Sequence, residues 1–212
     1  MKLSAVKLLA LLAASGAAAG AMAHDAASAK FKAEIRTTSY GVAHIVAQDA
    51  AGLGFGEGYA SAKTDICEIA PRWVTVNAQR SLYFGADELV PTYGDPGPTT
   101  NIQSDFYWQW IIDTDVIGRE LAEPPPRGPT QEVRDMVRGY VAGYNLYLKK
   151  TGADKIPDTR CKSAPWVRPI TEKDVYLRSL HWSLFATSVN FISQYVDAAP
   201  PYGSRAAGEK GA

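Results

Sequence analysis

Four glycines at alternate positions, Gly52, Gly54, Gly56 and Gly58, stand inside a stretch that otherwise has helical spacing. Glycine costs roughly 1 kcal/mol per residue against alanine in a helix interior, so this density is tolerable only where close packing uses the missing side chains. A phosphate-cradling loop would need a Lys-Ser/Thr pair after the last glycine and a strand running straight into the first. No such pair directly follows Gly58, Lys63 and Thr64 coming five residues later, and the upstream strand reaches the glycines through Asp49. Asp49 instead fits a helix N-cap. The glycines therefore read as a packing device, which commits this part of the chain to a helix pressed against a neighbour. The helical pattern resumes with Ala62, Ile66, Ile69, Ala70, Trp73, Val74 and Val76, and Pro71 is expected to kink or divide it.

Ahead of that helix, Phe31, Ala33 and Ile35 alternate with Lys32, Glu34 and Arg36, the period of a half-buried strand. Ser39, Tyr40 and Gly41 supply a turn and residues 42–47 an apolar run, so the pair reads as a hairpin. His44 lies in its second strand with no carboxylate or nucleophile nearby in sequence, which favours a histidine on a sheet over a catalytic one. Residues 85–128, punctuated by Pro91, Pro96, Pro98 and Pro124 to Pro126, read mostly as loop. Within them residues 105–118 carry Phe106, Tyr107, Trp108 and Trp110: an aromatic-lined pocket, a base-stacking surface, or a helix packed on the core. The lack of a basic cluster favours the helix.

The clearest helix follows Thr130, where Val133, Met136, Val137, Tyr140, Val141, Tyr144, Tyr147 and Leu148 recur at three and four. Lys149, Lys150 and Gly152 end it. Another is announced by Thr171 and Asp174 in a capping-box arrangement and runs through Val175, Leu177, Leu180, Trp182 and Leu184 to Phe185. It is apolar nearly all round, as in a helix buried between other elements or facing another chain. Residues 187–191 should break it, and from Ala198 onward large apolar groups almost vanish, as in a solvated tail or processing spacer.

Residues 1–23 combine Lys2 and Lys7, a short apolar run at 8–14 and the small-residue site Ala21, Met22, Ala23, the pattern of a secretory signal cleaved before His24. The apolar run is far below the roughly 20 residues a membrane span needs. In an oxidising compartment the two cysteines, Cys67 and Cys161, read as a structural disulfide rather than a metal site, with two separate buried thiols as the alternative. Closing so long a loop stabilises by roughly 4 kcal/mol in the chain-entropy treatment. With 22 basic and 22 acidic residues the formal charge is zero, which excludes a polyanion binder on bulk charge, and 46% hydrophobic residues fit an ordinary globular chain.

The chemistry of a self-contained hydrolase is missing. The chain has no GxSxG elbow, HExxH pair, Walker loop or metal-ligand cluster, and His44 and His181 sit in no local motif. Two readings remain: an exported binding module, or part of an enzyme whose reactive residue lies on another chain.

Residues 37–70 choose between them, because they resemble the start of the penicillin acylase family of N-terminal nucleophile hydrolases, in its acyl-homoserine lactone and aculeacin A acylase branch. Arg36, Gly41, Val42, His44 and Ile45 match the family's Arg-x-x-x-Gly-Val-Pro-His-Ile hairpin. Gly56, Gly58, Tyr59, Ala60 and Ala62 match its Gly-x-Gly-Tyr-Ala-x-Ala helix opening. Gln79, Arg80, Ser81 and Tyr83 to Gly85 look like its Glu-Arg-Ser-x-Tyr-Phe-Gly segment. Gly139, Tyr140, Gly143, Tyr144 and Asn145 look like its Gly-Tyr-x-x-Gly-x-Asn helix, and Cys161, Trp166 and Arg168 continue the likeness.

The resemblance implies an α+β fold: a mostly helical α subunit with an N-terminal β-hairpin, completing an αββα sandwich with a β subunit from the same precursor. Residues 1–23 would be the signal peptide, 24–197 the α subunit and 198–212 a spacer. It implies a periplasmic or secreted heterodimer that deacylates N-acyl-homoserine lactones, or else a β-lactam or cyclic lipopeptide acylase. No catalytic residue is expected on this chain, since the family's nucleophile is the first Ser of the β chain, with its own α-amine as base. No cofactor is implied, and no metal, because no Glu follows Asn190 where penicillin G acylases place a calcium ligand. The end of the capping-box helix is expected to border the acyl pocket, placing Trp182, Leu184, Phe185 and Phe191 on its wall, with Trp182 alternatively a core residue. A bridge from Cys67 to Cys161 would pin the first long helix to the loop before the capping-box helix. Ala43 in place of Pro, Thr64 in place of the family's acid (Asp65 is one residue late) and Pro71 depart from the pattern.

Overall fold

The computed structural model describes residues 31–91, 99–185 and 187–198. The expected signal peptide, and all but the first residue of the expected spacer, lie outside them. The described chain is mostly helical with one two-stranded sheet. It forms two compact units, Met1–Ile69 with Pro124–Glu172 and Ala70–Glu123 with Lys173–Ala212.

In the first unit, strands β1 (Glu34–Thr37) and β2 (Ala43–Val46) pair antiparallel with Ile35 opposite Ile45. Gly41 closes the hairpin at φ 84°, a left-handed value that glycine adopts without a Cβ penalty. Helix α1 (Ala50–Val76) is capped as the sequence implies: Asp49 Oδ1 accepts the Gly52 N–H at 2.6 Å.

The alternate glycines divide between two neighbours. A Cβ at Gly56 would press on Ile45 and Ala33 of the hairpin region, and one at Gly54 or Gly58 would overlap the carbonyl of Met136 or Tyr140 on α5 (Gln131–Thr151). The contact is reciprocal, because a Cβ at Gly139 or Gly143 would overlap the carbonyl of Ala51 or Phe55. The two helices thus meet backbone to backbone, four glycines forming the seam. Helix α5 starts where expected, with Thr130 Oγ1 accepting the Val133 N–H, and stops at Gly152, φ 78°. Asn145 fastens it to the following segment by donating to Ile170 O and accepting from Ile170 N, both at 2.8 Å.

Cys67 and Cys161 are joined by a disulfide, Cα to Cα 5.3 Å, and both are buried. It ties α1 to the loop that precedes the capping-box helix. Beside it, Arg160 pairs with Asp158 and Glu68 on the surface.

Helix α1 runs on through Pro71. Its break in helical dihedrals falls at Asp65 (φ −134°, ψ 27°), N-terminal to the proline. That is the side on which a proline ring meets the carbonyl of the preceding turn. The Thr64 hydroxyl, bonded back to Ala60 O at 3.0 Å, loosens the same turn.

The second unit contains the end of α1, the short α2 (Arg80–Phe84), α3 (Asn101–Asp113), α4 (Val116–Ala122), nearly all of α6 (Glu172–Leu184), a 3-10 turn Ser188–Phe191, and α7 (Ile192–Val196). The sequence read most of residues 85–128 as loop, yet α3 begins four residues ahead of the aromatic block. A complete capping box drives it: Gln103 N donates to Thr100 Oγ1 and Thr100 N to Gln103 Oε1. Its core gathers Val76, Tyr107, Trp108, Ile111, Leu177 and Ile192. Arg80 is buried and satisfied, donating to Asn101 Oδ1 (2.6 Å) and Thr75 Oγ1 (3.0 Å), with its guanidinium 4.9 Å from the Phe84 ring centre. Burial pushes that guanidinium down, and the Asp105 charge opposes the shift. The Asp105 carboxylate also accepts the N–H groups of Arg80 and Ser81, capping α2 from another helix.

Candidate functional site

Helix α3 divides its aromatic block by helical angle. Trp108 and Ile111 point into the core, whereas Phe106 and Trp110, four residues apart, each keep 62% of their surface exposed. On α6, Leu180 and Leu184 form a second four-residue pair. With Tyr107, Ile111, Val116, Ser188, Tyr195 and Val196 these residues line an apolar groove of about 910 Å³ within the second unit. Among the described residues no charged side chain lines it. Two of its hydroxyls form a pair: Tyr107 Oη and Ser188 Oγ lie 2.7 Å apart. Burial pushes the Tyr107 phenol up, while the bond to Ser188 acts the other way. Gln103 Nε2 donates to Asp197 Oδ2 at 2.7 Å, tying the start of α3 to the residue after α7.

Of the residues expected at an acyl pocket, the structure brings Leu184 to this groove and leaves three off it. Trp182 lies two positions from both Leu180 and Leu184, about 200° around the helix, and is 58% exposed. Its ring meets Phe185 at 5.7 Å and the Arg178 guanidinium at 4.4 Å. Phe191 is exposed at the end of the 3-10 turn. Phe106, Trp110, Leu180, Tyr195 and Val196 were not read as site residues, although the four-residue spacing of Phe106 with Trp110 and of Leu180 with Leu184 is visible in the sequence.

Neither described histidine is placed for nucleophile activation. His44 is exposed on β2, opposite Arg36 in the register. His181 packs 5.2 Å from the Trp108 ring, and its Nδ1 is buried with no hydrogen-bond partner among the described residues. Burial, and then the charges of Arg178 and Arg72, push it down to about 4, so the ring is neutral near pH 7. A general-base histidine needs an orienting partner, and among the described residues His181 Nδ1 has none. Among the described residues no group of three or more His, Cys, Asp or Glu side chains converges, and no helix is long and apolar enough to cross a membrane.

A glycine-seamed helix pair, a hairpin before it and a capped aromatic unit after it are the frame on which known proteins can be compared. The chain belongs to the penicillin amidase family, whose pattern it matches over residues 32–201. It is 40% identical over 173 residues to the aculeacin-A acylase of Actinoplanes utahensis, covering 81% of this chain and 21% of that protein. It is 37% identical over 171 residues to the acyl-homoserine lactone acylase PvdQ of Pseudomonas savastanoi pv. phaseolicola, covering 80% of this chain and 20% of that protein. The chain thus spans about a fifth of the length of these relatives. Among solved structures, a thermostable penicillin G acylase from Alcaligenes faecalis shares the fold, with TM-score 0.57, 23% identity, and 74% of this chain and 75% of that one covered.

Proposed function

We propose that this chain is the α subunit of an exported amidohydrolase that removes acyl groups from N-acyl-homoserine lactones, the signals of quorum sensing. The observation that carries the reading is an uncharged apolar groove, open on a chain that spans a fifth of two relatives named as acylases. The nucleophile belongs to a β subunit cut from the same precursor, an N-terminal Ser whose own amine serves as base. That arrangement needs no histidine and agrees with the placement of His44 and His181. The hairpin then adds to the β subunit's sheet to complete the αββα sandwich. Two exposed edges on an isolated two-stranded ribbon fit such an addition.

Residues 1–23 act as the export signal, 24–197 form the α subunit and 198–212 belong to a removed spacer, which places the enzyme in the periplasm or outside the cell. Leu184 lies on the acyl-pocket wall from this chain. Trp182, Phe185 and Phe191 extend the wall at its rim, where their exposed rings meet the acyl tail or the β subunit. A second reading, a cyclic lipopeptide or β-lactam acylase, is favoured by the 40% identity to aculeacin-A acylase.

Intact-mass measurement with N-terminal sequencing on the product of the full gene, followed by hydrolysis assays with N-acyl-homoserine lactones, a cyclic lipopeptide and penicillin G, tests all of this. Two chains, one starting at His24 and a larger one starting at Ser, with fastest turnover of the lactones, are expected. Fastest turnover of the lipopeptide or penicillin moves the assignment to the second reading. A single unprocessed, inactive species overturns the enzyme reading in favour of a binding module.

A further inference from the structure

The groove's lining is mostly apolar, with few polar side-chain atoms. Tyr107 and Ser188 share a hydrogen bond at 2.7 Å on its wall, and the Tyr195 phenol lies close enough to act electrostatically on Tyr107. A hydroxyl carries one hydrogen and two lone pairs, and the mutual bond uses one hydrogen and one lone pair. One O–H and several lone pairs therefore remain for a ligand. Tyr107 is only 6% exposed, so a plain alkyl chain filling the groove would strip the last water from that spot and leave its spare O–H unpaired. A chain with a single oxygen at that depth would accept the O–H and lose nothing.

We propose that Tyr107 and Ser188 form a reading point that selects acyl tails bearing one oxygen substituent, oxo or hydroxyl, over plain alkyl tails of equal length. The inference rests on the acyl-groove reading above. The occupant is an uncharged lipid-like tail because no charged residue among those described lines the groove and its volume of about 910 Å³ lies within the range of small-molecule sites. The selection acts through Tyr107 and Ser188, with Tyr195 at the mouth; the bond-breaking step stays with the β subunit.

The test uses the processed full-length enzyme and matched pairs of N-acyl amides of equal tail length, one plain and one carrying an oxo or hydroxyl group at successive positions. The wild type should favour one oxygenated position by about tenfold in kcat/KM. Tyr107→Phe and Ser188→Ala should each bring that ratio close to one, while Ser188→Thr, which keeps the hydroxyl, should preserve it. A ratio unchanged in both variants while hydrolysis persists makes the pair a structural clasp and overturns the proposal. If Tyr107→Phe fails to fold, the half-buried Ser188→Ala decides alone. Leu184→Trp, which narrows the groove, should slow long tails most; equal rates on all tails would mean the groove holds a segment of the β subunit instead. A wild type inactive on every acyl amide is a separate outcome, which removes the acylase reading first.

Discussion

In the first unit α1 and α5 touch through backbone, with Gly54, Gly58, Gly139 and Gly143 leaving no room for a methyl group. In the second unit α3 and α6 meet through rings, Trp108 against His181, and a groove remains beside them. Small residues tile a contact completely, whereas large rigid rings meet at angles and leave spaces between them. The closed unit is the one that holds the disulfide, and the open unit is the one that exposes Phe106, Trp110 and Tyr195.

The contrast can be broken most severely at the seam. Gly143→Val should cost about 5 kcal/mol, because a backbone carbonyl, unlike a pliable side chain, cannot move aside. Hydrogen exchange on the full-length product should show α1 and α5 unprotected while α3 keeps its protection. Protection of α5 equal to wild type would mean the helices can separate cheaply. Next comes the crosslink: Cys67→Ser with Cys161→Ser should lower stability by about 4 kcal/mol, read as a fall in denaturant midpoint, and a drop below about 1 kcal/mol would show that the glycine seam suffices without it.

The aromatic unit should respond to acid. His181 is held down to about 4 when folded, against about 6.5 for an unperturbed imidazole. Above pH 6.5 the ring is neutral in both states. As the pH falls from there to about 4, the unfolded chain binds a proton that the fold refuses, and stability declines by up to about 3 kcal/mol before levelling off. Unfolding midpoints of wild type and His181→Gln, compared across this window, should diverge in slope; parallel curves would remove His181 as the cause.

The smallest effect is expected at Trp182→Leu. Its exposure keeps the stability change within about 0.5 kcal/mol, while a longer optimal acyl tail is expected if the rim belongs to the pocket. A tail-length profile identical to wild type takes Trp182 off the wall.

Legibility in the sequence followed the same division. The hairpin, the Asp49 cap, the helix start after Thr130, the stop at Gly152 and the glycine packing all rest on local chemistry, and all appear where the residues indicated. The start of α3 was missed although Thr100 and Gln103 spell its capping box, because flanking prolines pointed to loop. What no local pattern could show is partnership across the chain: Asp105 capping α2, Asn145 clasping Ile170, or Ser188 meeting Tyr107. The groove falls in this second category. The family likeness marked the end of α6 as a stretch, Trp182 to Phe191, and only the helical angle separates Leu184, which lines the groove, from Trp182, which does not.

The bridge between Cys67 and Cys161 also encloses residues 70–123, more than half of the second unit, within one covalent ring. A peptide bond severed anywhere inside that ring releases nothing: both pieces travel as one species until a reductant separates them. Synthesis imposes an order as well, since Cys67 emerges 94 residues before its mate. The ring can close only after the whole enclosed segment has been delivered, which makes oxidation a late checkpoint on a chain already long enough to have begun folding.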